Sequence, residues 1–88
     1  MKGEGGQIAG LIALVQSLGL HPGTANSLIV KLQAAASGLD RGNIQTACGN
    51  LGAFLNEVNA QTGKHLTTAQ ADLLSVEATR IRAVLGCN

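Results

Sequence analysis

Apolar side chains recur along this chain at steps of three and four, the spacing that stacks residues on one face of a helix. Ile8, Leu11, Ile12, Val15 and Leu18 form the first stripe and predict a helix over residues 7–18 that ends at Gly19. The following LHPGT segment breaks the pattern, because Pro22 lacks an amide proton and restricts His21 to an extended shape. Thr24 is the expected cap of a second helix over 24–38, with Asn26 and Ser27 as alternatives, and Leu28, Leu32, Ala35, Ala36 and Leu39 form its apolar stripe.

A third helix is expected over 43–62. Asn43 can cap its first amides, and Ala47, Cys48, Leu51, Phe54, Leu55 and Val58 make a continuous inward face. Gly49 and Gly52 interrupt it, each disfavoured by about 1 kcal/mol relative to Ala in a helix interior. Two readings follow: close approach of a neighbouring backbone, or simple tolerance on the surface.

The fourth helix, over 67–85, has the clearest start. Thr67 and Gln70 match the capping box, and Leu66 can staple onto Ala71. Leu74, Ala78, Ile81 and Leu85 form its main stripe, widened by Leu73 and Val84, and Gly86 suits a left-handed terminus. No strand of convincing length remains. The prediction is an all-α fold, a small antiparallel four-helix bundle spanning residues 7–88 as a single domain, with MKGEGG, residues 1–6, as a flexible leader.

Composition narrows the function classes. A chain of 88 residues has room for one domain, which buries about 60 to 65% of its unfolded surface. Charged residues are only 12% of the chain, and Phe54 is its one aromatic residue, so the usual stacking platform for bases or sugars is missing. A net charge of +1 with scattered basic residues offers no stripe for nucleic acid. The IAGLIALV segment is too short to span a bilayer and has only Lys2 before it, so neither membrane insertion nor a signal peptide is expected. An exported form would have lost its signal or would carry it upstream.

Cys48 and Cys87 are the most informative pair. On a hairpin turning near residues 63–66, Cys48 lies about 21 Å up one helix and Leu85 about 27 Å up the other. Gly86 lets the chain bend back across the difference, so a Cys48–Cys87 disulfide is geometrically attainable. Two reduced thiols, or a redox-active cysteine, remain the alternatives.

The run KLQAAASGLDRGNIQTACGNLGAFLNEVNAQTGKHLTTAQADLLSVEATRIRAVLGC carries a family likeness. Its elements are Lys31-Leu32, Gly42-Asn43, Ala47-Cys48, the Ala53-Phe54-Leu55-Asn56 run, Val58, Ala60, Gly63-Lys64 and the terminal Leu85-Gly86-Cys87. Over about residues 24–87 the chain resembles the FIMAH-type domains and their cysteine-containing relatives, small helical modules at the C-terminal end of secreted or surface-associated bacterial proteins, hydrolases and adhesin-like proteins among them. The resemblance implies a non-catalytic accessory module, a secreted or cell-surface location and the Cys48–Cys87 bond. It brings no catalytic residue to this chain, which reads either as a module excised from a larger protein or as a free-standing relative.

Candidate chemistry is sparse. His21 and His65 lie on different connections, and no cysteine and carboxylate spacing completes a zinc set, so no metal or cofactor is expected. Asn56 and Glu57 on the third helix, with Lys64 and His65 in the GKHL connection, are the candidate partner contacts, for a protein or a cell-envelope component. The simpler reading of Lys64 and His65 is a hairpin turn, and Glu77 with Arg80 reads as a three-residue ion pair. The function expected is an extracellular structural or protein-interaction module, not an enzyme. The alternative is a small ligand-binding bundle in which Ala and Gly leave an apolar cavity walled by Phe54.

Overall fold

The computed structural model describes residues 4–87. Four helices follow in order: α1 (Glu4–Ser17), α2 (Pro22–Asp40), α3 (Ile44–Gln61) and α4 (Thr68–Leu85). They form an up-and-down bundle of 34 × 22 × 18 Å in which α1 packs on α2 and α4, and α3 packs on the same two. The diagonals are separated by the core. The expected all-α antiparallel four-helix bundle is therefore the observed fold.

The apolar stripes meet along the axis. Ile8, Leu11 and Val15 from α1, Leu28, Leu32 and Ala35 from α2, and Ala47, Leu51, Phe54 and Val58 from α3 are all buried. Ala71, Leu74, Ala78 and Ile81 complete the interior from α4. The first helix is a full wall of the core, packed on α2 and α4. Leu66 joins from the α3–α4 connection with 2% exposure, and Ala71 is buried in the same cluster, as the staple requires. Two residues expected to widen the α4 stripe depart from it: Leu73 and Val84 are 43% and 50% exposed. They lie beyond the sector that α1 and α3 can cover.

Helix boundaries differ from expectation at two starts. α1 begins at Glu4, so residues 4–6 of the supposed leader are helical; residues 1–3 lie outside the described residues. An apolar stripe marks only buried turns, and the first core residue is Ile8, which leaves the preceding turn invisible to periodicity. α2 begins at Pro22 rather than Thr24, with His21 as its N-cap. Proline fits the first helical position because the amide it lacks would have no intrahelical partner there, and its φ is already helical. Ala25 N–H donates to the His21 carbonyl at 2.9 Å, closing the first turn. Thr24 is thereby freed from capping.

The connections are short and tightly closed. At the end of α2, Asn43 N–H reaches back to the Gly38 carbonyl (2.7 Å) and Gly42 N–H to that of Leu39 (2.9 Å), with Gly42 in the left-handed region at φ 72°. Asn43 then caps α3 by accepting from Thr46 N–H at 3.1 Å, so one residue ends a helix and starts the next. α4 opens with the full capping box: Thr67 Oγ1 accepts from Gln70 N–H at 3.1 Å, and Gln70 Oε1 accepts from Thr67 N–H at 3.0 Å. It closes through Gly86 at φ 79°, with Cys87 N–H donating to the Arg82 carbonyl at 2.9 Å and Gly86 N–H to Ala83 at 3.1 Å. That turn directs Cys87 toward α3, where it is bonded to Cys48 across a Cα–Cα distance of 5.7 Å.

The helical glycines divide sharply. A Cβ on Gly38 would lie 3.1 Å from the Ala47 amide nitrogen and 3.0 Å from Thr46 Cγ2, so it is here that α2 approaches the start of α3 closely. Gly49 and Gly52 face open space, which decides their two readings in favour of surface tolerance. Gly49→Ala should therefore raise stability by up to about 1 kcal/mol through helix propensity alone, whereas Gly38→Ala should lower it as the helix pair is forced apart. Thermal unfolding of the two variants checks the opposite signs. Reduction of Cys48–Cys87, which spans 39 residues, should lower stability by about 4 kcal/mol on the chain-entropy estimate. Denaturant unfolding with and without reductant, alongside a free-thiol count, measures it.

Candidate functional site

The α1–α2 and α3–α4 connections lie at the same end of an up-and-down bundle, and this brings together residues remote in sequence. The His21 and His65 rings stack with centroids 4.2 Å apart and planes within 9°. His65 Nδ1 also shares a hydrogen bond of 2.9 Å with Thr24 Oγ1, the donor depending on the imidazole tautomer. Thr24 is 5% exposed, so its hydroxyl needs such a partner. The connection holding His65 is fixed by its own backbone: Lys64 and Leu66 N–H both donate to the Gln61 carbonyl, at 2.8 and 3.1 Å, and Gly63 N–H donates to Leu66 at 2.8 Å.

One turn further along α2 lies a second polar group. Lys31 Nζ donates to Glu57 Oε1 at 2.8 Å and to Ser27 Oγ at 3.0 Å, while the Ser27 hydroxyl donates to the same Glu57 oxygen at 2.8 Å. The Lys31 and Glu57 side chains are 30% and 16% exposed, so the pair sits at the edge of the core and ties α2 to α3. A serine beside a lysine invites comparison with a nucleophile and its base, but such a base must take the hydroxyl proton. Here that proton points at Glu57 and the lysine donates to the serine oxygen, which is the geometry of a bridged ion pair.

The four candidate contact residues thus separate. Asn56 and Lys64 are exposed. Glu57, expected with Asn56 as a partner contact, turns toward Lys31 and Ser27. His65 is exposed yet engaged by His21 and Thr24. Parallel stacking aims the in-plane nitrogens of the two imidazoles past one another, an arrangement unsuited to joint ligation of one ion. Among the described residues no three His, Cys, Asp or Glu side chains come together as metal ligands.

Three of the exposed large apolar residues among the described residues lie on α4, while Val30 lies on α2 and Ile44 on α3. Leu73, Val76 and Val84, 43%, 61% and 50% exposed, share one side of the helix with Arg80, which is paired with Glu77. Leu73, Glu77 and Arg80 border a groove of about 310 Å³ whose other wall is α1 at Leu11 and Leu14. A second groove, about 390 Å³, lies over Val76, Thr79, Arg80 and Ala83. Phe54 is fully buried and borders neither groove, so it does not form the expected wall of a ligand cavity there. Among the described residues no helix is long and apolar enough to cross a membrane.

Periodicity located the core and missed both the Ser27–Lys31–Glu57 group and the α4 surface. A four-residue step from Ser27 to Lys31 was one signal for the first. An apolar sector too wide for a single core was the signal for the second, since Val76, Leu73 and Val84 lie outside the Leu74, Ala78, Ile81 stripe.

No family model, curated protein or solved structure matches the chain.

Thr24→Val removes the buried hydroxyl with little change of shape and should lower stability by about 1 kcal/mol, and less in a His65→Ala background where the partner is already gone. A double-mutant cycle followed by urea unfolding measures the coupling. Additive losses would sink the assignment of a Thr24–His65 interaction.

Proposed function

We propose that this chain is a non-catalytic accessory module of the FIMAH-like type, acting outside the cytoplasm as a structural or protein-interaction element. The observation that carries the interaction reading is the α4 surface. Leu73, Val76 and Val84 remain exposed together on one helix, although the chain has enough small residues to leave that side polar. Clustered apolar exposure of this kind, bordered by charged groups, is characteristic of protein contact surfaces.

The disulfide supports the location. Such bonds persist where thiols are not continuously reduced, in secreted proteins and at cell surfaces. A bond closing the α3–α4 hairpin suits a small domain that must hold its shape there. The stacked histidines and the Lys31–Glu57 pair support a structural role for the polar groups, because each is satisfied by another part of the fold. Asn56 and Lys64, exposed near the α3–α4 connection, are available as secondary contacts.

The test is retention of an exported reporter enzyme on the bacterial cell envelope. Fusion to this domain should increase the cell-associated fraction, and Val76→Glu should reduce it while leaving the fold, followed by circular dichroism, intact. A cell-associated fraction equal to that of the unfused reporter would count against the interaction reading.

A further inference from the structure

The α4 surface has an internal symmetry in its pattern of apolar and charged residues. Leu73 and Val84 lie near its two ends, and Glu77 and Arg80 lie between them. If two copies of α4 are laid antiparallel about a two-fold axis between Ala78 and Thr79, Leu73 of one copy comes level with Val84 of the other. The same register brings Glu77 level with Arg80 of the second copy, twice over by symmetry. Val76, the most exposed of the three apolar residues, then falls beside the Arg80 stem and Ala83 of the second copy. A two-fold contact requires a surface complementary to itself, and this register meets the requirement in apolar and charged positions together.

We propose that α4 is a self-pairing surface, with a second copy of this chain docked antiparallel along the Leu73, Val76, Arg80 and Val84 side. The inference rests on the reading of α4 as a contact surface and adds the identity of the occupant. Its chemistry is specific. In the single copy Arg80 bonds Glu77 one turn away, and both side chains remain partly exposed. In the pair each charge gains a second partner of opposite sign across the axis, while Leu73 and Val84 lose their contact with water. One helix side against another falls at the low end of specific interface areas, so the dimer is reversible and forms with rising concentration.

Charge exchange tests the register. Glu77→Arg makes positions 77 and 80 both positive, and Arg80→Glu makes both negative, so in a symmetric pair either variant faces its own charge. Sedimentation velocity across a series reaching the millimolar range should show the wild type approaching dimer mass and each variant weakened by at least about tenfold. An equal mixture of the two variants should recover the dimer, because the positive side of one then meets the negative side of the other. This recovery also shows that neither variant lost function through misfolding.

A wild type that stays monomeric throughout the series would overturn the proposal, as would a dimer unaffected by either substitution or unrecovered in the mixture. A monomer whose envelope retention still depends on Val76 would remove self-pairing alone. A monomer without such retention would remove the contact-surface reading as well.

Discussion

The Cys48–Cys87 bond is the constraint on which the rest of this molecule depends. It joins the first half of α3 to the residue that follows the terminal turn of α4, and so closes the longer hairpin of the bundle. The core it supports is thin in side-chain mass: four of its buried positions are Ala35, Ala47, Ala71 and Ala78, and Phe54 is its only aromatic residue. Alanine lets helices approach but removes little apolar area from water. A domain of this size has a small margin between burial and chain entropy, and restricting the unfolded chain widens that margin.

The bond in turn relies on a local device. Gly86 adopts a left-handed conformation, ends α4 with two hydrogen bonds to Arg82 and Ala83, and swings Cys87 back toward α3. A similar turn at Gly42 reverses the chain between α2 and α3, where Gly38 permits the backbones to close on one another. The glycines that matter are therefore those at reversals and at one close approach. Gly49 and Gly52 are spectators of packing, although they sit in the middle of a helix.

A polar seam runs beside the apolar core. Thr24, Ser27 and Lys31 occupy successive turns of one side of α2 and are met by His65 and Glu57 from the second half of the chain. Burial alone leaves a helix free to rotate by a fraction of a turn, because neighbouring apolar side chains can exchange places. Directional bonds at two levels remove that freedom and fix how α2 faces α3. The exposed apolar residues of α4, Leu73, Val76 and Val84, take no part in this seam.

How far the sequence determined this protein is visible in particular residues. Local chemistry settled the four helices, the Asn43 cap, the Thr67–Gln70 box and the Gly86 terminus, since each involves groups within one or two turns of chain. The disulfide was attainable from helix rise together with the Gly86 reversal, which closes the difference in height between Cys48 and the end of the fourth helix. Tertiary structure decided the stacking of His21 on His65, the bond from Thr24 to His65 and the turning of Glu57 away from solvent. It also decided which parts of the wide α4 stripe stayed outside. Periodicity reports that a side chain shares a face with others, but the angle at which helices meet determines which members of that face lose their water.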